Sequence, residues 1–198
     1  KRQSDSNTQS QKAIHYILGI EKTTYFSDLS NSFFKIKLEG YYKDYKNLIS
    51  SWYGTFERLE YSRINDAIGN AKGIDLHTIL SLPGFYTWLS YGLLFANEDN
   101  LNDETGEYPR YTDQRHTISF ITNIHLGRNW DLSLKGFYGS GFPHTPKEAI
   151  HLGNNIWNWR EGKIHSKSLP VYRRVDLRLS KKNIFQKSEL DVFIDISN

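Results

Sequence analysis

The chain has 198 residues, enough for one globular domain, but only 38% of them are hydrophobic while 15% are aromatic. The mean hydropathy of −0.61 is low for a soluble core of this size, whereas 13 Tyr, 11 Phe and 5 Trp are too many for a disordered chain. The absence of cysteine excludes disulfides and thiolate metal sites, and a net charge of +3 from scattered residues does not indicate a nucleic-acid partner.

Two structural classes combine low average hydropathy with many aromatic rings. No run approaches the roughly 18 apolar residues of a transmembrane helix. Transmembrane β-barrels alternate lipid-facing and lumen-facing residues and carry aromatic girdles at both membrane interfaces. All-β lectin-like domains have a similar composition, so composition alone leaves both classes open.

The first half of the chain contains four predicted strands. Alternation of apolar and polar residues is noisy over 13–22, clear over 34–39, and noisy again over 73–82 and 85–97. In the clear run, Phe34, Ile36 and Leu38 alternate with charged residues. A period of two is what a strand with one apolar face produces, and helical spacing fits none of the clean runs.

The second half contains four more predicted strands. The clearest alternation covers 118–126, with Ile121 as its exception. Further alternating runs cover 130–135, 174–180 and 189–196. Aromatic residues near the ends of the predicted strands are interpreted as interfacial girdles: Trp52, Tyr53, Tyr86, Trp88, Tyr138 and Tyr172. Trp88 fits this interpretation less well, because its position in the alternation points it inward beside Ser90 and Gly92.

The predicted connections alternate in length. Short connections lie at 23–32, 83–84, 127–129 and 181–187, and long ones lie at 48–72, 98–113 and 140–171. An up-and-down barrel in the outer membrane has this pattern, with tight periplasmic turns and longer extracellular loops. Runs of about ten residues, tilted near 40°, also match an apolar band about 25 Å tall.

The polar sides of the predicted strands carry charges that we expect to pair between neighbouring strands. These residues are Lys35, Lys37, Glu39, Asp131, Lys135, Asp176, Arg178 and Asp191. A dry core does not tolerate such charges, whereas a water-filled or protein-filled lumen does. The sequence therefore favours an all-β, antiparallel, up-and-down transmembrane β-barrel.

Five phrases, in order along the chain, resemble the barrels of TonB-dependent outer-membrane receptors. They are EGYYK at 39–43, GNAKGIDL at 69–76, DQRHT at 113–117, SGFPHTP at 140–146 and LPVYRRVDLR at 169–178. The resemblance implies about eight consecutive strands of a 22-stranded barrel, so that residues 1–198 form a partial barrel domain. The N-terminal plug domain, the peptide that contacts the TonB complex and about two last strands are expected to lie outside this chain.

The same resemblance implies a location and a function. The protein is expected in the outer membrane of a Gram-negative bacterium, as part of an active-transport receptor for a scarce nutrient. A siderophore, haem, cobalamin, an oligosaccharide and a peptide are all candidates. The expected partners are outer-membrane lipid, the extracellular nutrient and the TonB complex, without nucleic acid.

Candidate ligand-contact residues lie in the long connections. Trp157, Trp159 and Arg160 are candidates for an exposed stacking platform, joined by His151 and Tyr108. The two Trp residues are also consistent with packing of the loop onto itself or with a place in the interfacial girdle. His144, His151 and His165 match no metal motif, and the acidic stretch 98–107 is interpreted as a solvated loop. We predict no metal, no cofactor and no catalytic constellation, and therefore not an enzyme.

Two alternatives remain open from the sequence. A passive porin or structural outer-membrane barrel would share the strand pattern but would lack the plug and energy coupling. A secreted all-β carbohydrate-binding module would be soluble and monodisperse without detergent.

Overall fold

The computed structural model describes residues 8–53, 59–153 and 156–198, which form fifteen β-strands and no helix. In the first half these are β1 (Lys12–Tyr25), β2 (Phe33–Leu48), β3 (Ser51–Tyr53), β4 (Leu59–Tyr61), β5 (Ala67–Leu82), β6 (Phe85–Asn100) and β7 (Tyr108–Pro109). In the second half they are β8 (His116–Gly127), β9 (Trp130–Gly139), β10 (Pro143–His144), β11 (Lys147–Gly153), β12 (Ile156–Glu161), β13 (Lys167–Ser168), β14 (Tyr172–Ile184) and β15 (Glu189–Ser197). No helix in these ranges is long and apolar enough to cross a membrane.

Eight long strands form one antiparallel sheet in the order β1-β2-β5-β6-β8-β9-β14-β15, so that every long strand pairs with the long strands next to it in sequence. The predicted all-β, up-and-down arrangement of eight strands is confirmed. The sheet is open, because no pairing among the described residues joins β1 to β15. These two edge strands therefore leave one side of their backbone hydrogen-bonding groups without a strand partner.

The connections alternate in length as predicted. Pro83-Gly84 and Arg128-Asn129 join long strands directly, and residues 26–32 and 185–188 make the other two short turns. Arg128 and Asn129 have positive φ values of 51° and 64°, which is the type I′ geometry that suits a two-residue hairpin. All four short turns lie at the same end of the strands, because successive strands run in opposite directions.

The long connections lie at the opposite end of the strands and contain short strands of their own. β3 pairs with β4, β10 with β13 and β11 with β12, while β7 adds to β6. The long strands also extend further than predicted: β5 begins at Ala67 rather than near Gly73, and β6 continues to Asn100. Pairing continues beyond the point where the alternation fades, because Ala67 still lies opposite Asn100.

The sheet has almost no hydrophobic core. Among the described side chains, only five hydrophobic residues are buried: Leu48, Ala67, Ala71, Ala96 and Tyr108. A soluble domain of this size normally buries one large apolar cluster between two layers. The other hydrophobic residues among the described side chains are at least partly exposed.

Candidate functional site

One face of the sheet is apolar across its whole width. Residues that lie directly opposite one another in neighbouring strands project from the same face. The register places the following residues in one row across six strands: Ile20, Leu38, Leu76, Tyr91, Ile118 and Tyr138. The same face carries Val175, Leu177 and Leu179 in β14 and Leu190, Val192, Ile194 and Ile196 in β15. We call it the apolar face.

The opposite face, the polar face, carries most of the charged residues of the long strands, although Lys72 and Arg173 lie on the apolar face, opposite Tyr42 and Tyr138. A row across seven strands contains Glu21, Lys37, His77, Ser90, Ser119, Phe137 and Arg174. Ion pairs cross between strands at Lys35–Glu21 (2.8 Å), Lys182–Glu189 (2.7 Å) and Arg178–Asp195 (3.7 Å). Pairs within one strand join Lys37 to Glu39 and Arg174 to Asp176. Lys35 and Arg178, two of the residues predicted to pair in this way, therefore do pair with a neighbouring strand.

No layer of the described structure covers the apolar face. Even in the interior strands β2, β5 and β6, Leu38, Ile74 and Leu89 are 44%, 47% and 38% exposed. Soluble monomers rarely expose a contiguous apolar patch of more than a few hundred Å². A face that spans eight strands consequently requires an apolar environment next to it.

Aromatic residues border the apolar face. In β2 they are Phe34 and Tyr42, and in β6 they are Phe85 and Phe95. From Phe85 to Phe95 the strand rises about 33 Å along its own axis. Past Phe95, the next position on this face is the polar Asn97. The apolar face thus forms a band with a limited height.

The register places three of the tyrosines that were interpreted as girdles on different faces of the sheet. Tyr138 lies on the apolar face, opposite Ile118. Tyr86 and Tyr172 lie on the polar face, opposite Asn123 and Gly139. Proximity to a strand end does not determine the face, whereas the register does.

Four of the five predicted ligand-contact residues lie on the β11–β12 hairpin, and three of these, His151, Trp157 and Trp159, project from the same face. His151 lies opposite Trp157, with ring centroids 4.8 Å apart, and Ala149 lies opposite Trp159. The side chains of Trp157 and Trp159 are 64% and 69% exposed. These two indoles therefore do not pack the loop onto itself but form an exposed aromatic surface.

The other two predicted contact residues lie apart from that surface. Arg160 lies opposite Glu148, on the other face of the hairpin, and its Nη2 is 3.0 Å from Glu148 Oε2. Tyr108 is only 5% exposed and has its ring edge-to-face with His165, at a centroid distance of 5.6 Å. Burial, with smaller contributions from nearby carboxylates, raises the pKa of Tyr108 to about 12. Tyr108 therefore packs inside the connection between β6 and β8 and does not form part of an exposed ligand-binding surface.

Sequence reasoning missed a buried ionic cluster beside Tyr108. Glu98 is 2% exposed and pairs with Arg110 Nε at 3.1 Å, and Asp113 is 2% exposed and pairs with Arg115 Nη2 at 2.6 Å. The Arg115 guanidinium lies 4.2 Å from the centroid of the Phe95 ring. The interpretation of residues 98–107 as a solvated loop is therefore wrong for Glu98, because β6 extends through this residue and the connection folds back over it.

A second buried carboxylate anchors the preceding long connection. Asp66 is 8% exposed and accepts hydrogen bonds from the backbone N–H and the hydroxyl of Ser50, at 2.8 and 3.0 Å. Although burial opposes ionisation, hydrogen bonds from Ser62 and Ser50 lower the pKa of Asp66 below its usual value. The charged form of Asp66 thus holds the ends of this connection together.

The histidines of the longest connection do not form a metal site. His165 donates from Nδ1 to the carbonyl of Pro109, while His151 lies against Trp157 in the hairpin. Burial lowers the pKa of His165, as does the nearby His144, although the bond to Pro109 opposes the shift. The described part of the chain contains no group of three or more His, Cys, Asp or Glu residues suited to a metal ion.

No protein-family model and no curated protein matches the chain.

Proposed function

We propose that this chain is part of the wall of an outer-membrane β-barrel in a Gram-negative bacterium, and that the barrel is a TonB-dependent receptor for a scarce nutrient. The observation that carries the proposal is the uncovered apolar face with its aromatic borders. At the strand tilt near 40° of an outer-membrane barrel, the rise of about 33 Å from Phe85 to Phe95 would span about 25 Å, the height of the apolar band of such a barrel. Lipid covers such a face, and the polar face, with its ion pairs, then lines a wet or protein-filled lumen.

The open edges support a larger barrel. β1 and β15 each have an unpaired edge, which would be prone to aggregation in water and could not be left exposed to lipid. Further strands of the same barrel, up to the 22 that the receptor class implies, would pair with both. The eight described strands would then form about a third of the wall.

Three of the five receptor-like phrases contact one another. Ser140 N donates to the carbonyl of His116 at 2.8 Å, and Gln114 Nε2 donates to the carbonyl of Ser140 at 3.0 Å. Leu169 N donates to the carbonyl of Phe142 at 2.9 Å. The phrases at 113–117, 140–146 and 169–178 therefore form one structural unit at the rim, which gives a physical reason for their occurrence together.

The test uses the full-length protein, produced in a Gram-negative host. We expect a heat-modifiable barrel in the outer-membrane fraction and nutrient uptake that is lost when TonB is inactivated. Uptake that is independent of TonB would favour a passive porin instead. A protein that is monodisperse in buffer without detergent would contradict both barrel alternatives and favour a secreted module.

A further inference from the structure

The β11–β12 hairpin has two chemically different faces. One face, which we call the Trp face, carries Trp157 and Trp159 two residues apart, with Lys147 and Glu161 opposite each other at one end and His151 at the other. The rise of a strand places the two indoles about 7 Å apart along the hairpin. The Trp face therefore offers two neighbouring aromatic surfaces with hydrogen-bonding groups beyond each.

The charges on the hairpin exclude a strongly anionic ligand on the Trp face. Lys147 and Glu161, the two ionised residues of this face, have opposite signs and lie opposite each other in register. The guanidinium of Arg160 lies on the other face and is already paired with Glu148. An anionic iron chelate, a haem carboxylate or a lipid phosphate would find no net positive charge here.

The shape of the Trp face is also informative. Both indoles are about two-thirds exposed and lie on a two-stranded ribbon, without the enclosing walls of a small-molecule pocket. An open surface of this kind gains contact area only from a ligand that extends along it. Neighbouring rings favour an extended ligand with repeated flat apolar patches, and the flanking Lys, Glu and His favour one that bears hydroxyl groups.

We propose that the Trp face binds a neutral saccharide chain, with successive sugar rings stacked on Trp157 and Trp159. This inference rests on the proposed function and identifies the class of nutrient that the receptor captures. A sugar ring presents C–H groups on its faces and hydroxyls at its edge, and so matches both the indoles and the polar residues beside them. Charge balance on the Trp face excludes the anionic alternatives.

His151 is a positioning residue in this site. Its ring lies against that of Trp157 at 4.8 Å, with 51° between the planes. This contact limits the orientations that the exposed indole adopts and so lowers the entropy cost of stacking a sugar on it. Removal of the His151 ring should therefore make the Trp157 indole more mobile without removing the aromatic surface.

The test is calorimetric titration of the detergent-solubilised full-length protein with a panel of neutral hexasaccharides built from glucose, mannose or galactose. We expect one or more of them to bind, and we expect replacement of both Trp157 and Trp159 by Ala to weaken that binding about tenfold or more. Arg160→Ala, on the other face of the same hairpin, is the matched control and should change the affinity less than about twofold. His151→Ala should weaken binding to an intermediate degree and lower the fluorescence anisotropy of Trp157, measured against Trp157→Phe as background.

A ferric tris-catecholate chelate and lipopolysaccharide vesicles serve as anionic probes. Binding of either one, with loss in the double Trp variant, would overturn the saccharide assignment, as would failure of every hexasaccharide to bind. Equal loss in Arg160→Ala would also count against it. Outer-membrane assembly of the same variants is measured in parallel, so failure of saccharide binding in an assembled, TonB-coupled receptor would overturn this inference alone.

Discussion

The ring of Phe120 in β8 lies over Gly136 of the neighbouring strand β9. The two residues are opposite each other in register on the apolar face, and a Cβ built on Gly136 would overlap the ring. An aromatic ring that covers a glycine in the next strand fills the gap that the missing side chain leaves and fixes the pairing. Gly40 occupies the same face of β2, and a Cβ there would meet nothing within 4 Å.

We therefore expect Gly136→Ala to destabilise the full-length barrel by about 1–3 kcal/mol, since the new methyl group must displace the Phe120 ring. Gly40→Ala adds the same methyl group on the same face and should change stability by less than about 0.5 kcal/mol. Urea unfolding in lipid vesicles measures both. Equal effects would mean that the Phe120–Gly136 contact does not matter.

Leu89 and Ser90 test which face meets lipid. They are neighbours in the interior strand β6 but project from opposite faces, Leu89 opposite Phe120 and Ser90 opposite Ser119. In the proposed barrel, Leu89→Arg places a charge near the middle of the lipid band and should cost about 2–4 kcal/mol, whereas Ser90→Arg places it in the lumen and should cost much less. The yield of heat-modifiable protein in the outer membrane reports the difference. If Ser90→Arg were the more damaging of the two, the assignment of the faces would be reversed.

The ion pair between Glu98 and Arg110 should be far more important than that between Glu148 and Arg160. Arg110→Ala leaves a carboxylate that is 2% exposed without its cation, which should cost about 3–5 kcal/mol locally. Arg160→Ala removes an exposed partner and should cost less than about 1 kcal/mol. Hydrogen exchange over residues 101–115 of the full-length protein should rise in the first variant. The second should leave that segment unchanged.

Docking of the 140–171 connection onto the 101–115 connection, where His165 meets Pro109, should weaken in acid. The pKa of His165 is lowered in the folded state, so this contact is at full strength above the ordinary histidine value of about 6.5 and is lost as the pH falls towards the folded-state pKa. Limited proteolysis of the 140–171 connection between pH 7.5 and pH 5 should therefore show increasing cleavage. His165→Phe keeps the ring against Tyr108 and should remove the histidine's part of this pH dependence, whereas His151→Gln should retain it.

Much of the sheet could be predicted because the face of each residue follows from its position in a strand. In β8, the prediction for 118–126 was right about both the apolar residues and the exception, since Ile121 lies on the polar face between Trp88 and Lys135. β5 and β6 gave noisy patterns because Ile79 and Leu94 also lie on the polar face. Local periodicity is sufficient when one face is uniformly apolar and is blurred when the other face is only partly polar.

The arrangement of the long connections could not be predicted in the same way. Contact between His151 and Trp157 depends on the register of the β11–β12 hairpin, which has no recognisable pattern in the sequence. The burial of Glu98 depends on its pairing with Arg110, which lies at the far end of the connection that follows β6. Both contacts result from tertiary pairing between segments without clear alternation. Among the candidate ligand residues, the structure therefore places His151, Trp157 and Trp159 on one surface and separates Arg160 and Tyr108 from it.

The order of strands in the sheet has a consequence for assembly. Each long strand pairs with the one that precedes it in the chain, so the growing edge is always the most recently added strand. Contacts made in this way are close in sequence, which favours fast formation. Insertion can then proceed hairpin by hairpin, and a strand that has paired need not wait for a partner encoded at the distant end. The slowest steps should be those that cross the 49–66, 101–115 and 140–171 connections, because closing each of these loops costs more chain entropy than closing a short turn.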